Sequence, residues 1–148
     1  MGFAPEKIRN ILLAGHSSAG KTSFAEALLF LTKSSDRFGS VAAGTTVMDF
    51  EDEEIRRKAS ISLAVAPLEY NGVKMNLLDA PGLFDFELGM YEGVQAAEGV
   101  AVVLSARSGV SVGTEKAFKL AKNNKHNIDI VIDRIVLKEG GGSRLTQP

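Results

Sequence analysis

A glycine-bearing segment near the start of the chain carries the residue types that bind a polyphosphate. Residues 15–22 read GHSSAGKT and fit the pattern G-x-x-x-x-G-K-[ST], with Gly15, Gly20, Lys21 and Thr22 at its fixed positions. Small residues let successive backbone N–H groups point at one anion, and the N-terminus of the following helix faces the same anion. Lysine adds a charge for the β- and γ-phosphates, and the threonine hydroxyl suits Mg²⁺. The segment therefore predicts a nucleotide-binding loop; a plain strand-to-helix turn is the alternative.

A second short motif, Asp79-Ala80-Pro81-Gly82, follows an apolar strand pattern. An aspartate at the carboxyl end of a strand can reach Mg²⁺ through a water molecule. The N–H of Gly82 can meet a γ-phosphate that exists only before hydrolysis. Taken alone, Asp-x-Pro-Gly is more often a simple turn, because proline and glycine are turn residues. Together with the upstream loop, it predicts a sensor of the third phosphate.

The elements that must position these motifs alternate between strand-like and helix-like patterns. Apolar spacing predicts strands at 8–13, 61–70, 73–79, 99–106 and 128–132, and helices at 21–31, about 87–97 and 113–122. Asn71-Gly72 predicts a two-residue hairpin that pairs two of these strands antiparallel, with Ile61, Leu63 and Val65 on one face. The alternation predicts a three-layer α/β domain whose sheet is mostly parallel, with one antiparallel edge hairpin.

A long stretch, residues 32–59, has no helical or strand periodicity and is rich in small residues. It contains the acidic run 51–54, followed at once by the basic residues 56–58. A loop of this length inside a compact domain is usually functional or disordered. The charged residues fit a solvated face as well as they fit a functional role. Adjacent carboxylates on a flexible loop do not form a preformed cation site.

Composition limits the class of protein. The 148 residues, 45% of them hydrophobic and 24% charged, indicate one domain over residues 1–148, with a flexible tail at about 138–148. A net charge of −1 argues against direct DNA binding through a strongly basic surface. The sequence predicts no signal peptide and no membrane segment, and the lack of cysteine fits a reducing cytoplasm.

Four segments together carry a resemblance to a known family. GHSSAGKTSFAEALLF, GTTVMDFEDEEIRRKASIS, NLLDAPGLFDF and SARSGVSVGTEKAF resemble the N-terminal GTP-binding domain of translation elongation factor G and its paralogues. The match covers roughly residues 8–122 in unbroken order. It implies a P-loop NTPase fold of the G-domain type and a ribosome-associated GTPase that uses GTP and Mg²⁺ in protein synthesis. Family members continue beyond this point, so we expect an incomplete domain.

The resemblance also implies roles for individual residues. The loop 34–60 resembles the first switch of the family and residues 79–86 resemble the second. Thr22, Ser60 and Asp79 are expected at the Mg²⁺ site, with Ser60 at the family's metal-ligating threonine. Lys21 and Gly82 are expected to act in catalysis. The expected contacts to GTP or GDP are Gly15, His16, Ser17, Ser18, Ala19, Gly20, Lys21, Thr22, Ser23, Asp79 and Gly82.

Three positions depart from the family pattern. Leu83 stands where family members usually place the histidine that orients the attacking water, and an apolar side chain cannot orient water by hydrogen bonding. We therefore predict slow GTP hydrolysis. Lys58 replaces the glycine of the first switch, and Ser18 replaces an aspartate of the phosphate loop.

The guanine-reading motif Asn-Lys-x-Asp is missing after the last predicted strand, which runs into Asp133-Arg134. The nearest candidate, residues 124–127, reads Asn-Lys-His-Asn; it precedes that strand and is interpreted as a polar helix end. Guanine specificity therefore follows from the resemblance alone. Two alternatives stay open: a nonenzymatic remnant that binds nucleotide weakly or not at all, and a P-loop ATPase.

Overall fold

Five strands and four helices form the part of the chain that the computed structural model describes, residues 2–82 and 87–133. A 3-10 turn at Pro5–Lys7 precedes the first strand. The elements are β1 Ile8–Ala14, α1 Lys21–Leu31, α2 Asp52–Arg57, β2 Ala64–Tyr70, β3 Val73–Asp79, α3 Glu87–Ala96, β4 Gly99–Ser105, α4 Val112–Asn123 and β5 Asn127–Asp133.

The strands form one sheet in the order β2-β3-β1-β4-β5. Only β2 and β3 pair antiparallel, and the other neighbours in this described sheet are parallel, as predicted. Asn71 and Gly72, at φ 49° and 74°, form the turn between β2 and β3. A tight hairpin turn needs two residues of positive φ, which asparagine and glycine accept most readily. The predicted edge hairpin is thereby confirmed.

Helices cover both faces of the sheet, which confirms the three-layer α/β prediction. On one face, α3 and α4 pack on β1, β3 and β4 through Leu12, Leu78, Val94, Val102 and Ala117. On the other face, α1 packs on the sheet through Leu13, Ala25, Leu29, Leu68 and Leu77. No helix within these described residues is long and apolar enough to cross a lipid bilayer.

The face of the 61–70 stretch that carries Ile61, Leu63 and Val65 is not the buried face of β2. The strand begins at Ala64, and its inward residues are Ala64, Ala66 and Leu68, whereas Val65 is 60% exposed. Because strand residues alternate between two faces, pairing with β3 decides which set points inward. The small alanines face the α1 side, where Met48 completes the packing.

The stretch 32–59 contains a short helix that periodicity did not predict. Glu51 and Glu54 form a reciprocal capping box that starts α2, and a helix of six residues is too short for an apolar repeat. Glu54 is only 1% exposed. The interpretation of the acidic run as a solvated face is therefore wrong for Glu54, although its neighbours Glu51 and Asp52 are exposed.

Candidate functional site

The phosphate loop connects the carboxyl end of β1 to the first turn of α1. Gly15 and Gly20 have φ values of 147° and 97°, and Ser18 also takes the left-handed region at 60°. A side chain at Gly15 would collide with the carbonyl oxygen of Val103 on β4. Glycine is therefore required at Gly15 by both conformation and space. His16 and Ala19 belong to the same turn, since the N–H of Ala19 donates to the His16 carbonyl at 3.2 Å.

Lys21 begins α1, and its ammonium group folds back over the phosphate loop. The side chain is 6% exposed, and Nζ donates to the carbonyl oxygens of Gly15 at 3.3 Å and His16 at 3.0 Å. Burial lowers the pKa of Lys21, while the nearby carboxylates of Asp79 and Asp49 act in the opposite direction. The Lys21 ammonium group therefore lies beside the loop whose backbone amides would hold a phosphate.

The three residues expected at a Mg²⁺ site lie together. Parallel pairing of β1 and β3 aligns Leu13 with Asp79, so the aspartate ends its strand beside the phosphate loop. Thr22 Oγ1 donates to Asp79 Oδ2 at 2.6 Å and lies 3.3 Å from Ser60 Oγ. Residues from α1, β3 and the segment after α2 thus meet within hydrogen-bond distance.

Asp49 joins this group although the sequence did not single it out. Ser60 Oγ donates to Asp49 Oδ1 at 2.6 Å, and Asp49 is only 4% exposed. Burial raises the pKa of Asp49, while the hydrogen bond from Ser60 lowers it. The available sequence signal was an isolated carboxylate between the apolar residues Met48 and Phe50, which is typical of a buried and partnered acid.

Gly82 passes directly over the phosphate loop. A Cβ atom at this position would lie 2.5 Å from Lys21 Nζ and 2.6 Å from the backbone nitrogen of Ser17. No side chain fits there without displacing the loop or the lysine. The backbone of Gly82 therefore reaches the same space as the Lys21 ammonium.

These residues surround an open cavity of about 260 Å³. Of the predicted nucleotide contacts, seven line it: Ser17, Ser18, Gly20, Lys21, Thr22, Ser23 and Gly82. Ser60 and Asp49 complete its wall, together with Val41 and Lys58. The other predicted contacts adjoin the lining: Asp79 accepts a hydrogen bond from Thr22, and Gly15, His16 and Ala19 belong to the loop that carries Ser17 and Ser18. The arrangement offers a cation, hydroxyl groups and backbone amides to an anionic ligand.

The side chains present fit a divalent cation bound with phosphate. Asp79 Oδ1 and Asp49 Oδ2 are buried, and neither has a hydrogen-bond partner among the residues described. The pKa of Asp79 is raised to about 6, mainly by burial and further by the carboxylates of Asp49 and Glu54, while the Thr22 hydrogen bond and Lys21 act in the opposite direction. A cation beside these carboxylates would relieve their mutual repulsion. Residues 2–82 and 87–133 hold no cluster of three His, Asp or Glu side chains suited to a metal, so hydroxyl and phosphate oxygens would complete the shell.

The Asn-Lys-His-Asn candidate lies at the far end of the sheet. Asn124 caps the end of α4, with its Nδ2 donating to the Leu120 carbonyl at 2.9 Å, and Asn127 begins β5. The phosphate loop follows the carboxyl end of β1, whereas residues 124–127 precede the amino end of a parallel strand. The interpretation as a polar helix end is confirmed for Asn124, whereas Asn127 is already the first residue of β5. Leu83, Arg134 and the predicted tail at 138–148 lie outside the described residues.

Comparisons with known proteins show what this chain is similar to. The family model of the elongation factor Tu GTP binding domain matches residues 6–137. An elongation factor G-like protein of Mycobacterium tuberculosis is 44% identical over 115 residues, which cover 78% of this chain and 16% of that protein. Elongation factor G of Dehalococcoides mccartyi is 34% identical over 116 residues, covering 78% and 17%. The chain thus spans 16–17% of the length of these curated relatives.

A solved structure supports the same fold. A crystal structure of a protein from Thermus thermophilus has a TM-score of 0.83 and 38% sequence identity to this chain. The similarity covers 85% of this chain and 19% of that one.

Proposed function

Because this chain belongs to the family of the elongation factor Tu GTP-binding domain, we propose that it binds GTP and GDP together with Mg²⁺. The observation that carries the proposal is the meeting of Lys21, Thr22, Asp79 and Gly82 around one cavity. They come from separate segments of the chain, and each supplies a group that a nucleotide phosphate or its cation requires. A plain strand-to-helix turn would not need the second segment.

The chain's own residues would divide the work of holding a triphosphate. Lys21 supplies a positive charge to the β- and γ-phosphates, and the phosphate-loop amides bind their oxygens. The hydroxyls of Thr22 and Ser60 would hold the cation directly, and Asp79 through water. Bound Mg²⁺ would neutralise charge that develops on the phosphates. Gly82 would donate its N–H to the last phosphate and so distinguish GTP from GDP.

The same family membership leads us to propose a place in protein synthesis, with the ribosome as partner and the cytoplasm as location. For this chain itself, the proposed activity is nucleotide binding with slow GTP hydrolysis. The expected slowness rests on Leu83. Single-turnover hydrolysis by the wild type and by Leu83→His tests it: we expect the variant to be faster by about 100-fold, because it regains a group that orients water. Equal rates would remove the explanation.

Isothermal titration with GDP, GTP and ATP in Mg²⁺ tests the proposal directly. Lys21→Ala should weaken guanine-nucleotide binding by about 100-fold, since it removes a charge-assisted contact in a buried site. Lys119→Ala, on the exposed face of α4, is the matched control and should leave affinity unchanged. Adenine preference or indifference would favour a P-loop ATPase, and no binding by the wild type would favour a remnant.

A further inference from the structure

Glu26 is a completely buried carboxylate that lies outside the proposed phosphate and metal contacts. It sits on α1, is 0% exposed, and its Oε1 accepts hydrogen bonds from two backbone N–H groups of the long loop. The donors are Val47 at 2.6 Å and Met48 at 3.3 Å. The other oxygen, Oε2, has no hydrogen-bond partner among residues 2–82 and 87–133. A carboxylate accepting two backbone N–H groups strongly favours one loop position.

The same carboxylate also contacts the beginning of this loop segment. A side chain at Gly39 would collide with Glu26 Oε2 and would lie 2.8 Å from the Cα atom of Thr46. Residues 39 and 46–48 are therefore packed against each other with Glu26 between them. We call residues 39–48 the strap. The end at Val47 and Met48 donates hydrogen bonds to the Glu26 side chain, and the end at Gly39 packs against it.

The strap builds part of the nucleotide cavity. Val41, within it, lines the cavity beside Thr22 and Ser60. Met48, its last residue, is 1% exposed and precedes Asp49, which holds the hydroxyl of Ser60. Displacement of the strap would therefore move a cavity wall and the acceptor that orients Ser60.

We propose that Glu26 is a positioning residue that fastens the strap over the nucleotide and thereby slows nucleotide release. The proposal rests on the nucleotide binding proposed above. Glu26 follows Thr22 by four residues, so both lie on the same side of one rigid helix. The first turn of α1 would hold the phosphates while its second turn holds the strap. Loss of the carboxylate would leave the N–H groups of Val47 and of the buried Met48 without this acceptor, which favours opening of the strap.

Two substitutions separate positioning from bulk packing. Glu26→Gln keeps an oxygen that can accept from Val47 and Met48, whereas Glu26→Leu keeps similar volume and removes the acceptor. Glu92→Leu, at an exposed position of α3, is the matched control. Amide hydrogen exchange of the nucleotide-free protein gives the first readout. We expect Glu26→Leu to speed exchange at Val47 and Met48 by about tenfold or more, with β1 and β4 unchanged and Glu26→Gln close to wild type.

Dissociation of a fluorescent GDP gives the second readout, and Glu26→Leu should release it about tenfold faster than wild type and Glu92→Leu. Unchanged exchange in the strap, or equal acceleration in β1 and β4, would overturn the proposal. An opened strap with unchanged GDP release would overturn its functional part. If the wild type binds no nucleotide, the proposed function fails, while the exchange data still decide whether Glu26 fastens the strap.

Discussion

The phosphate loop and the long loop, which runs from the strap through α2 to Ser62, face the same cavity but are held in different ways. The phosphate loop is held by its own backbone: Gly15, Ser18 and Gly20 all have positive φ, and Lys21 Nζ and the Ala19 N–H donate to carbonyl oxygens of the loop. In the long loop, buried carboxylates accept hydrogen bonds: Glu26 from the strap and Glu54 from the segment after α2. One site can thus combine a locally encoded wall with a wall that depends on distant partners.

The largest expected effect comes from removing a carboxylate of the long loop. Glu54 accepts from the N–H groups of Ile61 at 2.9 Å, Glu51 at 3.2 Å and Ser62 at 3.3 Å. Glu54→Ala should lower the free energy of unfolding by about 3 kcal/mol, because these donors lose a buried acceptor. Urea denaturation measures the change. Glu53→Ala is the control, because the Glu53 carboxylate pairs with the exposed side chains of Arg56 and Arg57; an equal loss there would mean that the buried acceptor is not what matters.

Asp79 lies where the two loops meet, and its titration tests how far burial disfavours charge at that point. Burial raises its pKa from 3.8 to about 6. Because the folded-state pKa exceeds the unfolded one, the stabilising contribution is full below the unfolded pKa and is lost as pH rises through about 6. Without nucleotide and Mg²⁺, the stability of the wild type relative to Asp79→Asn should fall by about 2 kcal/mol from about pH 4 to about pH 8.

Denaturation curves of both proteins across this pH range provide the measurement. A difference that stays constant with pH would contradict the raised pKa. With Mg²⁺ and GTP present, we expect the wild type to gain stability relative to Asp79→Asn, because the variant lacks a carboxylate that the cation would use.

A substitution at Gly82 tests the wall of the cavity that the phosphate loop forms. In Gly82→Ala the new methyl group would lie 2.5 Å from Lys21 Nζ and 2.6 Å from the Ser17 nitrogen. We expect GTP affinity to fall by about tenfold, and GDP affinity by less, since the crowding falls at the place proposed for the last phosphate. Titration with both nucleotides gives the ratio. Gly99→Ala is the control, because its methyl would come no nearer than 3.7 Å to the Asn127 carbonyl oxygen; equal losses for GDP and GTP in Gly82→Ala would contradict the assignment.

The smallest expected effect concerns a non-glycine residue in the left-handed region of the long loop. Lys58 ends α2 with φ 54° and ψ 40°, which side chains disfavour. Lys58→Gly should raise the free energy of unfolding by about 0.5–1 kcal/mol by relieving this strain. Arg57→Gly, one residue earlier and inside α2, should destabilise instead, because glycine weakens a helix. Thermal denaturation distinguishes the two, and changes of the same sign would contradict the assignment of strain to Lys58.

Local signals in the sequence predicted most of the fold and the position of the loop between β1 and α1. Asn71-Gly72 specified the hairpin through the φ values that such a turn needs, and GHSSAGKT specified the loop between β1 and α1. The spacing of apolar residues placed the strands and the longer helices, since each repeats over several turns or pleats.

The remainder depended on partners far apart in the chain. Nothing near Glu26 indicates that its acceptor role involves Val47, 21 residues later. Asp49 similarly gains its meaning only from Ser60, and Glu54 from Ile61 and Ser62. The switch of face in β2 depended on its register with β3. These features depend on tertiary contacts, which local patterns in a single sequence do not reveal.

The parallel pairing of β1 with β3 also sets the order in which the molecule assembles. The antiparallel β2–β3 hairpin closes a short turn, whereas joining Leu13 to Asp79 closes most of the first half of the chain. Closures between distant residues are the slow steps of folding, so the hairpin should form well before the cavity exists. A newly made chain would thus bind nucleotide only after β1 has paired with β3, and a partly folded chain without this pairing would bind none.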